Sequence, residues 1–110
     1  YIKNDVHYIL GKKKWKTVVT HNPDGEYGHT HHQMTSYIVS KDSRVDMNQL
    51  VYFGRYYKKK NLPFNLNSIS QSDLKKKMKL TSMYSSQSKV MDHLGHMLPH
   101  ENWVKAKDWR

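Results

Sequence analysis

Three histidines occur within four positions of the stretch DGEYGHTHHQMTSYIV, residues 24–39. Imidazole groups bind divalent metals and transfer protons near neutral pH, so the cluster predicts metal or acid–base chemistry. His29 and His32 are three residues apart and project from one side of a helix, whereas His31 points about 100° away from His32. The alternative interpretation is an exposed polar start to a surface helix. Spacing alone favours neither.

His21 directly follows a predicted strand. It is a candidate third ligand, because a catalytic zinc takes three protein side chains and a water. An HExxH arrangement is excluded, since no glutamate lies between the paired histidines. The segment HNPDGE, residues 21–26, is similar to a metal-binding HPDDE box, but Asn22 is inserted and Gly25 replaces the second Asp. We therefore interpret residues 23–25 as an ordinary turn.

Helices and strands alternate around this loop, as hydrophobic spacing and turn residues indicate. In chain order the prediction is a helix over residues 2–10 with Gly11 as its C-cap, a strand over 15–20 (WKTVVT), a loop over 21–28, a helix from Thr30 to Asp42-Ser43, and a strand over 50–57 (LVYFGRYY). Such alternation predicts an α/β fold with a largely parallel sheet. Function in such sheets lies at the carboxyl ends of the strands, where the histidine loop is placed.

A polar stretch over residues 61–72 reads as a connection between two halves. The last helix begins near Ser70, where Ser70 and Asp73 are spaced as in a capping box, and Pro99 ends it. One face of this helix carries a Met-rich stripe that we interpret as core. The stripe comprises Leu80, Met83, Tyr84, Gln87, Val90, Met91 and Leu94.

A chain of 110 residues fits one small domain. It has no cysteine, which excludes disulfides and thiolate metal sites, and no apolar run near the ~20 residues that a membrane span needs. The missing cysteines do not show the redox compartment, so the location is unknown, with a cytoplasmic one favoured. Nineteen basic and nine acidic side chains give a net charge of +10, which suits an anionic partner. The lysine clusters at residues 12–14, 58–60 and 75–77 are interpreted first as solvated faces.

Residues 18–34, VVTHNPDGEYGHTHHQM, resemble the second conserved segment of the PIG-L/LmbE-like zinc-dependent N-acetyl-sugar deacetylases. In that segment a strand runs into a GExGHPDH-like loop and then a helix. Residues 75–87, KKKMKLTSMYSSQ, resemble the C-terminal helix of the same family, with its Tyr-x-Ser-Gln pattern at Tyr84 to Gln87. The two stretches organise most of the chain, and the first is the more specific.

This resemblance implies that His32 is a zinc ligand and that His29 is an acid–base or oxyanion-stabilising group. Tyr27 stands where some members have a tyrosine that polarises the substrate carbonyl. His31 replaces the family's Asp, which orients the imidazole at position 29, and is a further catalytic candidate through a ring nitrogen. Thr30 replaces the usual Pro and also suits a helix start.

The family's AHPDDE-like segment, which supplies a His and an Asp to the zinc and a second Asp as general base, does not occur here. We therefore expect residues 1–110 to be the C-terminal half of one deacetylase-like domain with a Rossmann-like, largely parallel sheet flanked by helices. The implied reaction is hydrolysis of the N-acetyl group of an N-acetylglucosamine-type sugar or conjugate. The implied cofactor is Zn²⁺ or another divalent metal. The missing N-terminal half would be a partner, and the chain alone is expected to be inactive.

Two other interpretations stay open. A basic module for nucleic acid or an anionic glycan is suggested by Tyr52, Tyr56 and Tyr57, which alternate with Arg55 and the lysines at 58–60. Strand character at residues 50–57 argues against it, because alternate aromatic side chains would then be buried. The other interpretation is a family member that has lost catalysis.

Overall fold

The protein is described here by a computed structural model that covers residues 2–84, 86, 89 and 94–110. The chain forms two compact units, one of Tyr1–Arg55 with Trp103–Arg110 and one of Tyr56–Asn102. The division therefore falls after Arg55, ahead of the polar stretch at 61–72. The last eight residues return to the first unit, which the sequence did not indicate.

The first unit is a mixed α/β structure in which helices flank a small sheet. Its elements are α1 (Ile2–Leu10), β1 (Val18–Thr20), the single turn α2 (Gly25–Gly28), α3 (Thr30–Ser40), β2 (Leu50–Phe53), β3 (Trp103–Lys105) and a 3-10 turn (Ala106–Asp108). The predicted helices, strands and loop up to Phe53 are confirmed, although β1 and β2 are shorter than the sequence suggested. Apolar positions at helical or alternating spacing account for them.

The strand order is β1-β2-β3. β1 and β2 are parallel, with Val18 opposite Leu50, and α3 lies in the connection between them. β2 and β3 are antiparallel, with Tyr52 opposite Val104. The sheet thus has one parallel pair, and the expectation of a largely parallel sheet is corrected by β3. This strand is short, and its Trp103 is exposed, so no alternating pattern marked it.

The core of the first unit lies between α3, β2 and the C-terminal turn. Leu50 is fully buried, and Val39, Tyr52 and Ala106 are nearly so. Tyr52 can be buried because its hydroxyl shares a hydrogen bond of 2.8 Å with the Ser40 hydroxyl. Four partly buried side chains pack around these residues: Val6, Val18, Val45 and Trp109.

The second unit contains α4 (Gln71–Thr81) and two 3-10 turns (Lys59–Asn61 and Gly95–Met97). The predicted helix start is confirmed, because the Ser70 hydroxyl accepts a hydrogen bond of 3.1 Å from the Asp73 amide. The predicted extent is wrong, since α4 ends at Thr81 rather than continuing toward Pro99. None of the helices in the described residues is both long enough and apolar enough to cross a membrane.

The Met-rich stripe is not core where the structure describes it, because Leu80, Met83 and Tyr84 are all exposed. The remaining residues of the stripe are either half-buried or outside the described residues. Leu94 is half-buried beyond the end of α4. Gln87, Val90 and Met91, and with them part of the Tyr-x-Ser-Gln pattern, lie outside the described residues.

Truncation of Leu50 should destabilise the first unit strongly. Leu50→Ala leaves a cavity beneath α3, and such changes cost about 2–5 kcal/mol. A small domain has little stability to lose, so we expect an unfolding midpoint in urea far below that of the wild type. Met34→Ala, on the exposed side of α3, is the control and should shift the midpoint little. Equal shifts for both variants would contradict the assigned core.

Asp42 links α1 to the end of α3. Burial alone raises the pKa of this carboxyl, but hydrogen bonds from the Arg44 amide (2.8 Å) and the His7 ring (2.9 Å) outweigh burial, so the pKa lies below 3.8. The ionised carboxylate therefore stabilises the fold above about pH 4, and this contribution disappears as pH falls through the lowered pKa. Asp42→Asn should unfold at lower urea than wild type at pH 6, with the difference narrowing at pH 2. A constant difference across that range would refute the assignment.

Candidate metal and catalytic site

The loop between β1 and α3 is held by one buried side chain. Asn22 is completely buried, and its amide nitrogen donates hydrogen bonds of 3.1 Å to the carbonyls of both Phe53 and Gly54. Its amide oxygen accepts hydrogen bonds of 3.0 Å from the Asp24 and Glu26 backbone N–H groups. Asn22 therefore joins the carboxyl end of β1 to that of β2 and shapes the loop between them.

The loop passes through the left-handed backbone region at three residues. Gly25 and Gly28 have φ of 65° and 91°, which glycine adopts readily. A Cβ at Gly25 would lie 2.8 Å from the Gln33 Cγ and 3.2 Å from the Gln33 backbone nitrogen, so α3 approaches too closely for a side chain there. Glu26 is the exception, with φ 61° and ψ −84°. For a residue with a side chain this backbone is strained and needs support from its surroundings.

That support directs the Glu26 carboxylate to the Nδ1 edges of two histidines. The backbone N–H of Asn22 donates to Glu26 Oε1 at 3.0 Å. Oε2 lies 3.0 Å from His21 Nδ1 and 2.8 Å from His32 Nδ1. The two imidazoles stack in parallel, with centroids 3.9 Å apart and planes at 6°. All three side chains are partly buried, with 31%, 17% and 27% exposed for His21, Glu26 and His32.

An ionised carboxylate accepts hydrogen bonds and does not donate them. Both Nδ1 atoms therefore donate to Glu26, and each neutral ring has its lone pair on Nε2. Within residues 2–84, 86, 89 and 94–110, neither Nε2 makes a hydrogen bond. A carboxylate bonded to Nδ1 of a histidine whose Nε2 binds a metal is a recurrent arrangement, because it fixes the tautomer and makes the ring more basic.

Direct coordination is the other geometry that this cluster allows. His21, Glu26 and His32 each offer one ligand atom, and these atoms lie within 4.8 Å of one another. Two imidazoles and a carboxylate are a common donor set for catalytic zinc. Coordination through Nδ1 would need the other tautomer of each neutral ring, with its proton moved to Nε2, and would replace the hydrogen bonds to Glu26.

His29 and Tyr27 line the same group. His29 is the N-cap of α3, and its Nδ1 accepts a hydrogen bond of 3.2 Å from the His31 backbone N–H. The His29 ring also stacks on His32, with centroids 4.4 Å apart. The predicted convergence of His29 and His32 is therefore confirmed. The Tyr27 ring meets His29 and His32 edge-on at 6.1 Å and 5.8 Å.

The hydrogen bond from the His31 backbone N–H determines which ring nitrogen of a neutral His29 carries the proton. A nitrogen that accepts a hydrogen bond carries no proton, so a neutral His29 bears its proton on Nε2. His29 is thus arranged to donate a hydrogen bond from Nε2.

His31 is exposed and meets the His29 ring edge-on at 5.3 Å. Its link to His29 is the backbone N–H, and within the described part of the chain its own ring makes no hydrogen bond to His29. The expected contact through a His31 ring nitrogen is therefore not formed.

Sequence reasoning placed residues 23–25 in a turn, and Pro23 and Asp24 do form one. It left Glu26 there without a chemical role, although Glu26 is the residue that joins His21 to His32. An available signal was an acidic residue five positions after one histidine and six before the other. Asn22 was treated as an insertion that weakened a motif, whereas it organises the loop.

Asp24 fixes the outer side of the loop. Its carboxylate pairs with Arg55 at 3.0 Å, and the Arg55 guanidinium lies 3.9 Å above the Trp109 ring. Arg55 also donates to the carbonyl of Arg110. The C-terminal segment therefore helps to hold the site through a residue that follows β2.

Zinc affinity should depend on this cluster and not on the neighbouring histidine. Glu26→Gln should weaken Zn²⁺ binding about 10–100-fold, because either arrangement needs the carboxylate. His32→Ala should weaken it at least as much, and His31→Ala, the matched control, should leave it within about twofold. Competition with a chromophoric chelator measures these affinities. If the His31 and His32 variants bind zinc equally well, the site is not here.

We also compared the chain with known proteins. No family model matches it, and no solved structure is significantly similar to it. Over 107 residues the chain is 29% identical to uncharacterized protein L374 of Acanthamoeba polyphaga mimivirus, a match that covers 97% of this chain and 42% of the viral protein. The chain therefore spans about two fifths of the length of this relative.

Proposed function

We propose that this chain forms part of the active site of a zinc-dependent hydrolase that removes the acetyl group from an N-acetylglucosamine-type sugar or conjugate. The observation that carries the proposal is the His21–Glu26–His32 group, against which the His29 and Tyr27 rings pack. The resemblance of residues 18–34 to the deacetylase segment supports the substrate class. Strand, loop and helix follow one another there as that resemblance implies.

The donor set fits a divalent cation. His32 would hold it, with His21 as a second imidazole and Glu26 either coordinating or fixing the two rings. Bound zinc supplies a Lewis acid and lowers the pKa of water toward about 7. The chain's own residues would position and polarise the acetamide beside that centre.

His29 and Tyr27 would act on the acetamide carbonyl. Since the His29 cap leaves its proton on Nε2, we assign it hydrogen-bond donation to the developing oxyanion. The Tyr27 phenol would donate to the same oxygen. The oxygen of a water molecule would form a bond to the acetyl carbon, and the water proton would go to the general base. The C–N bond would then break, the sugar nitrogen would take a proton and leave as the free amine, and the acetyl carbon would leave as acetate. The general base is assigned to the Asp of an AHPDDE-like segment outside this chain.

The proposal therefore concerns a longer protein in which this chain is the C-terminal half. That half-domain would complete a Rossmann-like sheet, of which the parallel β1–β2 pair and α3 are one βαβ unit. The greater length of the viral relative is compatible with this organisation. A family member without catalysis would keep the fold and the cation but lack turnover.

Two of the side chains on which the nucleic-acid alternative depends are engaged elsewhere in the protein. Tyr52 is 4% exposed and hydrogen-bonded in the core, so it cannot stack on a base. Arg55 is engaged by Asp24, Trp109 and the Arg110 carbonyl.

The 110-residue chain alone should bind zinc and have no measurable deacetylase activity, because it lacks the general base. In a longer polypeptide that carries an AHPDDE-like segment, His29→Ala should keep the metal and lower kcat about 10²–10³-fold, the usual effect of removing one oxyanion donor. Released primary amine from an N-acetylglucosamine conjugate measures turnover. Zinc-dependent turnover by the short chain, or full activity in the His29 variant, would overturn these assignments. Zinc binding without turnover in the longer protein would identify a non-catalytic member.

A further inference from the structure

A cationic cavity lies at the opposite end of β1 from the histidine loop. It has a volume of about 620 Å³ and is bordered by the C-terminal end of α1, the segment before β1 and the turn after α3. The side chains that matter for its chemistry are Lys13, Lys14, Trp15, Arg44 and Gln49, with Gly11 in its wall. Nothing in the proposed hydrolase uses these residues.

The cavity is built around Arg44. The guanidinium donates a hydrogen bond of 2.8 Å to the His7 carbonyl at the end of α1, which leaves its other N–H groups for a ligand. It also packs against Gly11 so closely that a Cβ there would lie 1.5 Å from Nη1. Glycine at position 11 is therefore required for this placement of the Arg44 guanidinium.

Trp15 forms a fixed aromatic surface in the cavity. The indole N–H donates to the Ile9 carbonyl at 3.2 Å, and the Trp15 carbonyl accepts from the Gln49 side chain at 3.0 Å. The Lys13 ammonium lies 4.2 Å from the centre of the indole ring. This cation–π contact holds a positive charge beside the cavity without a carboxylate partner.

The side chains that line the cavity carry a net positive charge, which favours the binding of anions. Three cations line the cavity, and among the described residues no acidic side chain lines it. The carbonyls that end α1 would repel an anion, but those of His7 and Ile9 already accept hydrogen bonds from Arg44 and Trp15. Within the described part of the chain, the Lys13 and Lys14 ammonium groups make no hydrogen bond or ion pair.

We propose that this cavity binds a phosphate group of a phosphorylated ligand, with Arg44 and Lys14 on the phosphate oxygens, Lys13 adding charge and Trp15 beside the attached organic group. A planar guanidinium with free N–H groups suits phosphate, and the volume accommodates a nucleotide-sized molecule. A free phosphate ester and the backbone of a nucleic acid share this chemistry, and the test separates them. The proposal does not depend on the hydrolase.

Titration of the full 110-residue chain with sodium pyrophosphate at low salt, followed by calorimetry and by the Trp15 indole N–H signal in NMR spectra, tests the site. We expect the Lys13→Gln/Lys14→Gln double variant to weaken binding about tenfold or more. The matched control, Lys59→Gln/Lys60→Gln, removes the same charge from exposed positions in the second unit and should change affinity less than twofold. Equal losses in both double variants would mean non-specific attraction to a chain of charge +10 and would overturn the proposal.

Three further measurements distinguish this site from other sources of binding. Gly11→Ala displaces the Arg44 guanidinium without changing charge and should also weaken pyrophosphate binding, with circular dichroism to show that the fold is kept. His32→Ala should leave pyrophosphate binding unchanged, which separates this site from the histidine cluster. A short single-stranded oligonucleotide that binds more tightly than pyrophosphate, with a steep salt dependence, would identify a nucleic-acid backbone as the source. No shift of the Trp15 signal with any of these probes would refute the site.

Discussion

The side chain of Asn22 is the constraint on which the candidate site depends. A buried carboxamide must have its hydrogen bonds satisfied inside the protein, and here the nitrogen donates twice and the oxygen accepts twice, all with backbone groups. Those groups belong to the end of β2 and to the loop that follows β1. The parallel pairing of two short strands therefore fixes where the loop starts, and the loop then has one route to α3.

The positions of the candidate site residues follow from the path of the backbone through this loop. The chain turns at Pro23 and Asp24, passes close to α3 at Gly25 and brings the Glu26 carboxylate back beneath His21. Since α3 begins at Thr30, its first turn brings the His32 ring parallel to that of His21, with its Nδ1 on the same Glu26 oxygen. The core residues Leu50 and Val39 hold the strand and the helix in register, so the chemistry rests on a small hydrophobic core.

Local patterns explain what the sequence could predict. Helical spacing located α1 and α3, a β-branched run located β1, the apolar and aromatic run LVYFGRYY located β2, and the Ser70–Asp73 pair located the start of α4. The three-residue separation of His29 and His32 predicted that both side chains would face one side of a helix. His29 is instead the N-cap with an extended backbone, and its ring stacks on His32 from there. His21 was a reasonable third candidate because a strand end has a known direction.

Features that depend on contacts between distant parts of the chain could not be predicted from local sequence patterns. β3 is three residues long and pairs with a strand some fifty positions earlier, so its formation depends on the folded sheet and not on its own composition. α4 ends at Thr81 although the apolar spacing continues, and Leu80 and Met83 remain exposed, which shows that periodicity alone does not create a buried face. The role of Glu26 depends on a positive φ, which no residue-type pattern predicts for glutamate.

The backbone of Glu26 has a consequence for how this sequence can vary. Glycine at this position would relax the strained φ of 61° and would by itself favour folding, whereas the carboxylate requires the strained residue. Under the proposed function, selection for stability and selection for chemistry therefore act in opposite directions on this residue. A population of variants enriched only for thermal resistance should drift away from glutamate here, while one kept for function should retain both the acid and the asparagine that supports it.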